Sequence, residues 1–227
     1  METIGAVAVL GGTGSEGGGV ALRLAVAGHK VIIGSRDAAK AEARAAEINA
    51  RVGGGSVSGA DLKGAAAAGE IVVLTVPFTA QAGTLEQVKA ELEGKILVDA
   101  TVPLVPPKVS RVQLPAGGSA VAAMQEKLGP GVRVVAAFQN VSAHNLDDLD
   151  HEVDCDVLIF GDDGAACDTV VSLVGTMGLR GIYGGPVCNS AAAEALTSVL
   201  IAINRRYKLA GSGIRITGMD RPAEPRG

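Results

Sequence analysis

Residues 12–17 read Gly-Thr-Gly-Ser-Glu-Gly, and six of the nine positions from Gly11 to Gly19 are glycine. Gly12, Gly14 and Gly17 fit G-x-G-x-x-G, with Thr13, Ser15 and Glu16 in the variable places. The pattern sits between the apolar run "VAVL" and a stretch with helical spacing at Val20, Ala21, Leu24 and Ala25. In that strand–turn–helix setting each glycine has a task. Gly12 permits the tight turn, Gly14 lets a pyrophosphate reach the main chain, and Gly17 with Ala21 allows close helix–strand packing. The first N–H groups of the helix then meet a dianionic ligand. A chain with 32 glycines in 227 residues also admits a plain small-residue turn. The flanking strand and helix favour the dinucleotide site.

The end of the second apolar run supplies an independent test. A site for NAD usually closes this strand with a carboxylate on the ribose hydroxyls. Here it closes "IIGSRDAAK", with Ser35, Arg36 and, one helical turn on, Lys40. A hydroxyl, a guanidinium and an ammonium suit a 2′-phosphate, so NADP(H) is favoured over NAD(H). Asp37 falls one position late and is expected to cap the next helix.

The remaining strand ends, Thr75–Ala80, Asp99–Pro103 and Ala137–Leu146, are expected to line the nicotinamide half of the cleft. Val76 and Pro77 would form an apolar wall. Gln139, Asn140, Ser142 and His144 are the polar candidates for contact with a substrate, and no residue is assigned as catalytic. The sequence offers no Ser/His/Asp order and no metal-ligand cluster, and His144 and His151 are wrongly spaced for one helix face. Gly161-Asp162-Asp163 reads as a helix cap rather than a metal pair. Hydride transfer needs none of these groups, because a cofactor carries the hard step and the protein orients two rings.

These residues must be held by alternating strands and helices. Strands are expected at Ala6–Leu10, Lys30–Ile33, Ile71–Val76, Ile96–Val98 and Val132–Ala137. Helices are expected over Gly17–Ala27, Arg36–Asn49 and Leu85–Leu92. Strands apolar throughout, alternating with helices, call for a parallel sheet covered on both faces. Thr101–Pro115, with Pro103, Pro106, Pro107 and Pro115, cannot be an ordinary helix, and Ser119 begins the next one as its N-cap. From about residue 145 the rhythm changes: a strand in "CDVLIFGDD", a helix over Ala165–Met177, a short strand over Leu179–Tyr183 and a long helix from Ala191 to Lys208. The expected fold is α/β, a doubly wound Rossmann-type parallel sheet (1–145) with a small C-terminal α/β appendage (146–227).

Composition narrows the partners. Aromatic residues make up 2% of the chain and the net charge is −4, which argues against a nucleic-acid surface. Cys155, Cys167 and Cys188 form no Cys-x-x-Cys pair and read as reduced cytosolic thiols. The N-terminus lacks a signal-peptide pattern, and Glu194 interrupts the best apolar stretch, so neither secretion nor a membrane span is expected.

Across almost its whole length the chain resembles the NADPH-dependent coenzyme F420 reductases. The resemblance rests on "VAVLGGTGSEGGGVALRLAVAGHKVIIGSR", "VVLTVPF", "VVAAF…VSA", "DCDVLIFGDD", "GPVCNS…AEALTSVLIAINRRYK" and "GIRITG", in this order. It implies a homodimer that exchanges hydride between NADP(H) and the deazaflavin F420; a cytoplasmic location is expected from the reduced thiols and the N-terminal pattern. By the same resemblance Thr13, Gly14, Ser15, Glu16, Ser35, Arg36, Lys40, Val76 and Ala137 fall on cofactor-contact positions. Several members have His where this chain has Gln139, which can donate a hydrogen bond to a ring carbonyl but cannot titrate near neutrality. Arg205, Arg206 and Lys208 are available to an acidic cofactor tail. The alternative reading is an F420-independent, NADPH-dependent reductase of a small carbonyl or imine compound.

Overall fold

The computed structural model describes residues 4–150 and 152–219. His151 and the terminal "PAEPRG" lie outside the described residues.

Eight strands form one sheet in the order β3-β2-β1-β4-β5-β6-β7-β8. The first six are β1 (Val7–Leu10), β2 (Val31–Ser35), β3 (Val57–Asp61), β4 (Ile71–Leu74), β5 (Ile96–Asp99) and β6 (Arg133–Ala136). They are parallel and wound in the order of a dinucleotide-binding sheet. The fold is Rossmann-type α/β. β7 (Asp156–Gly161) joins β6 antiparallel, and β8 (Arg180–Tyr183) continues parallel to β7.

The continuous apolar strands are explained by what covers them. Val7, Val9, Ile33, Val73 and Val98 point to one face, against α1 (Ser15–Val26), α2 (Ala38–Val52) and α7 (Gly164–Thr176). Ala8, Leu10, Val72, Leu74 and Leu97 point to the other, against α3 (Leu62–Ala68), α4 (Phe78–Gln87), α5 (Ala120–Leu128) and α8 (Ser190–Tyr207). Both layers are filled mainly by aliphatic side chains, each contributing ~1.5–3 kcal/mol on burial.

Strand register sets the site. Leu10 pairs with Gly34 and with Leu74, Leu74 with Asp99, and Asp99 with Ala136. The carboxyl ends of β2, β1, β4, β5 and β6 therefore finish in one row, and the loops that leave them share one edge.

Several elements differ from the sequence expectation. β3 and α3 were not foreseen, because "VSGAD" mixes small and polar residues at a half-exposed sheet edge. α4 begins at Phe78, directly after Pro77, and a separate 3-10 turn covers Lys89–Leu92. The caps do follow the residue types: Asp37 accepts from Lys40 N, Ser119 from Ala122 N and Asp163 from Ala166 N. Asp162 is also engaged, accepting from Val187 N at 3.0 Å.

The segment Val187–Tyr207 has the length and composition of a membrane span, with mean hydropathy 1.3. Its one carboxylate, Glu194, is buried within the protein and accepts from Ser119 Oγ (2.7 Å), Ser190 Oγ (3.0 Å), Ala120 N (2.7 Å) and Val121 N (3.3 Å). A helix of the core thus caps another helix through a buried charge.

Candidate active site

A cleft of about 750 Å³ opens over the aligned strand ends. Its first wall is the glycine loop. Gly11 turns the chain at φ +88°, and Gly14 caps α1 with no side-chain cap bond. The first turn of α1, Ser15-Glu16-Gly17, thus leaves its N–H groups to a ligand or to water. At Gly14 the nearest obstacle to an added Cβ is Gly11 O at 3.4 Å, so the main chain is open to close approach. Gly17 is the opposite case: a Cβ there would run into Thr75 and lie 2.6 Å from Gly11 O. Its missing side chain lets α1 seat against the ends of β1 and β4.

Ser35 and Arg36 reach the same cleft from the end of β2. Arg36 is exposed. Ser35 Oγ accepts from Asp37 N at 3.2 Å, which leaves its O–H to donate.

The opposite half is organised around Asp99, fully buried at the end of β5. Gln81 Nε2 donates to Oδ2 at 2.6 Å, and Thr101 N donates to Oδ1 at 2.9 Å. Gln139 Nε2 donates to the Asp99 carbonyl at 2.8 Å. One residue thus ties together α4 and the loops after β5 and β6. Burial pushes the Asp99 carboxyl up, against the hydrogen bonds from Thr101 and Gln81; the charge of Glu194 adds to the rise. Half-buried Glu16 lines the cleft, and its carboxyl is pushed up to about 8, first by burial and then by Asp99.

The loop after β6 is held stiffly. Phe138 is forced to φ +75°, a conformation that costs a bulky residue about 1–3 kcal/mol. Thr197 Oγ1 on α8 donates to Gln139 O at 2.7 Å, and Asn140 Nδ2 donates to Ala193 O at 2.9 Å. Arg23 of α1 donates to Leu146 O (3.0 Å) and Asn145 O (2.8 Å), closing the end of α6 (Ala143–Asp147). The result is a fixed amide: Gln139 is 4% exposed, lines the cleft, and keeps Oε1 without a partner.

Such a cleft offers an anion cradle at α1, a cationic tip at β2, an apolar floor and a buried, oriented amide. Those parts fit a phosphorylated dinucleotide lying across the switch point of the sheet.

The comparisons with known proteins agree with this geometry. The family model described as "NADP oxidoreductase coenzyme F420-dependent" matches residues 6–103. The F420-dependent NADP reductase of Methanocaldococcus jannaschii is 42% identical over 222 residues, covering 94% of this chain and 99% of the relative. The chain belongs to the F420-dependent NADP reductase family. The reductase of Methanothermobacter marburgensis is 43% identical over 220 residues, covering 94% and 98%. A crystal structure from Arthrobacter sp. FB24, with a provisional F420-dependent NADP-reductase name, superposes with a TM-score of 0.77. It has 28% identity and covers 93% of this chain and 98% of that one.

Within this F420-dependent reductase fold, the residues singled out from sequence fall into two groups. Thr13, Gly14, Ser15, Glu16, Ser35, Arg36, Val76, Pro77 and Gln139 line the cleft. Gly12 and Gly17 are buried beneath its floor. Lys40 stands outside the lining, exposed beside Asp37 at 3.9 Å. Ala137 is fully buried, with its side chain in the core cluster. Asn140 turns to α8, Ser142 precedes α6, and His144 is exposed on α6; none of the three lines the cleft. Gln139 spends one of its two amide N–H groups on the Asp99 carbonyl, and its Oε1 has no hydrogen-bond partner.

Sequence reasoning did not single out Gln81, Asp99 or Thr197, nor the wall made by Leu104, Pro106 and Val109. A carboxylate closing the apolar run "ILVD" was the available signal for Asp99. The proline-rich stretch was recognised only as non-helical; in the structure it is a strap along the cleft.

Proposed function

We propose that this protein, like its named relatives, transfers a hydride between NADP(H) and coenzyme F420. The observation that carries the reading is the joint occurrence, in one cleft, of the uncapped glycine-loop helix, Ser35–Arg36 at the β2 tip and the fixed Gln139 amide. The balance is NADPH + H⁺ + F420 → NADP⁺ + F420H2, with the hydride passing from nicotinamide C4 to C5 of the deazaflavin.

The chain's own residues supply position and surroundings. Gly14 and the first turn of α1 hold the pyrophosphate, with Ser15 and Thr13 at its flanks. Ser35 and Arg36 bind the 2′-phosphate. Val76 and Pro77 exclude water beside the nicotinamide. Gln139 presents an acceptor to an N–H of a bound ring, and holding two rings in register is the main demand of hydride transfer.

In this reading residues 1–145 bind NADP(H), while 146–227 complete the substrate side and the subunit contact. Val199 and Tyr207, exposed at 42% and 69%, lie with Leu196 and Ile203 on one side of α8. That stripe suits a second copy of the chain, a homodimer, in the cytoplasm. The test is an anaerobic assay with oxidised F420: NADPH should bleach its visible band, and NADH should do so far less. No bleaching with either, despite tight NADPH binding, would transfer the chain to a different acceptor.

A further inference from the structure

The helix that opens on the glycine loop carries two glycines beyond the G-x-G-x-x-G pattern, Gly18 and Gly19. A Cβ at Gly19 would stand 2.6 Å from Leu146 Cβ and 3.2 Å from its carbonyl carbon. One at Gly18 would stand 2.6 Å from Arg44 Nη2. Glycine inside a helix is less favourable than alanine, and what it gains here is close approach to α6. That approach brings α6 within reach of three arginines. Arg23 Nη2 donates to Asn145 O and to Asp148 O, both at 2.8 Å, and Arg23 Nε donates to Leu146 O at 3.0 Å. Arg51 donates to Asp147 twice, to Oδ1 at 2.9 Å and to the main-chain O at 2.7 Å. Arg44 Nη2 donates to the same Oδ1 at 3.5 Å. The carbonyls of residues 145–148 thus all accept from guanidinium groups of α1 and α2.

Helix-end chemistry accounts for part of this. Arg23 and Arg51 lie in the last turns of α1 and α2, where cations offset the helix dipole. That effect does not ask either side chain to reach a third helix. A single exposed ion pair also contributes little. The side chains of Arg51 and Asp147 are 38% and 47% exposed, but their contact is a fork that holds a carboxylate and a carbonyl together. A fork of charged hydrogen bonds fixes direction as well as distance.

What the fork fixes is one wall of the cleft. α6 begins at Ala143, which lines the cleft together with Gln139 and Val141 of the loop before it. Asp147 closes the same short helix, about 6 Å further along at the helical rise. Arg23 and Arg51 stand at the far ends of α1 and α2, whose first turns follow the glycine loop and the Ser35–Arg36 tip. Asp147, Arg23, Arg44 and Arg51 do not line the cleft themselves.

We infer that the contact of Asp147 with Arg51, backed by Arg23 and Arg44, sets the wall that carries Gln139 at a fixed distance from the wall that carries the dinucleotide. Asp147 and Arg51 are positioning residues for hydride transfer, remote from both rings. The inference rests on the hydride-transfer reading. Transfer between two rings tolerates little error in their separation. A misplacement of about 1 Å, caused by a change far from the chemistry, costs on the order of a hundredfold in rate.

The experiment is a single-turnover measurement: protein saturated with NADPH is mixed anaerobically with F420, and bleaching is followed. It compares wild type, Asp147→Ala, Arg51→Ala, the double variant and Arg51→Lys, each well below its melting temperature. Each truncation should slow transfer about tenfold while the NADPH Kd stays within twofold. The double variant should lose little beyond either single one, because one contact is removed only once. Arg51→Lys keeps one charged bond of the fork and should fall between wild type and Arg51→Ala. A lower Tm with the wild-type transfer rate overturns the inference and leaves the contact as scaffold. Additive losses in the double variant, or losses that more NADPH restores, also overturn it. Should a truncation fail to fold, Arg51→Lys carries the test alone, and an unchanged transfer rate in it overturns the inference. Wild-type protein that binds NADPH and bleaches no F420 overturns the hydride-transfer reading, and the positioning role with it.

Discussion

Gln139 Nε2 lies 2.8 Å from the backbone oxygen of Asp99, and a carbonyl oxygen can only accept. That contact uses one of the two amide N–H groups and orients the side chain, leaving Oε1 buried with no partner. A buried acceptor left unpaired costs about 1–3 kcal/mol, which a ligand N–H would recover. The imide N–H of a deazaflavin is such a donor. Gln139→Leu should raise the F420 KM about tenfold while the NADPH Kd stays within twofold, measured by steady-state kinetics and by fluorescence titration. A loss confined to NADPH would assign the amide to the nicotinamide instead.

Arg36 and Ser35 carry the choice of dinucleotide. Arg36→Ala removes the guanidinium at the β2 tip and leaves the glycine loop untouched. NADPH affinity should fall about 10- to 100-fold, with NADH affinity little changed, because a charged phosphate contact of this kind contributes ~1.5–3 kcal/mol. Calorimetric titration of both dinucleotides checks it; parallel losses would remove the 2′-phosphate from Arg36.

Glu16 makes the cleft sensitive to pH. Its folded pKa of about 8 lies above the ordinary carboxyl value of 4.5, so the folded protein holds a proton that the unfolded chain releases. The stabilising contribution is complete below pH about 4.5 and is lost as pH rises to about 8. Glu16→Gln should therefore melt close to wild type at pH 5 and above it at pH 8.5, by on the order of 1–2 kcal/mol for a half-buried group. The same ionisation sets a negative charge beside the pyrophosphate cradle. NADPH binding should weaken above pH 8 in the wild type and stay flat in Glu16→Gln.

Glu194 is a stability residue rather than a site residue. Glu194→Ala leaves the buried N–H groups of Ala120 and Val121 and the hydroxyls of Ser119 and Ser190 without their acceptor. The expected cost is about 3–4 kcal/mol, a fall in Tm of about 10 °C for a chain of this size. Thermal melts should show it without NADPH present, and an unchanged Tm would mean that water replaces the carboxylate.

The parts of the site that follow local rules were legible in the sequence. Gly14 and Gly17 serve a turn whose geometry depends on a few adjacent residues, and Arg36 ends a strand that its own apolar pattern defines. The parts that depend on distant residues were not. Gln139 was visible as a polar residue at a strand end, but the orientation of its amide depends on Asp99, forty positions earlier. Ala137 and Asn140 sit in the same loop, and only tertiary packing sends one into the core and the other to α8. β3 escaped because a half-exposed edge strand need not be apolar.

The most direct measurement is isotopic. NADPH carrying deuterium at the transferred C4 position is mixed anaerobically with oxidised F420, and the product is analysed by mass spectrometry and NMR. The C5 position of a reduced deazaflavin is carbon-bound and keeps its label in water, so it records direct transfer. The expected result is one deuterium at C5 for each F420 reduced. Reduction without label at C5, or label delivered to a carbonyl or imine acceptor while F420 stays oxidised, would contradict hydride exchange between NADPH and F420 in this cleft.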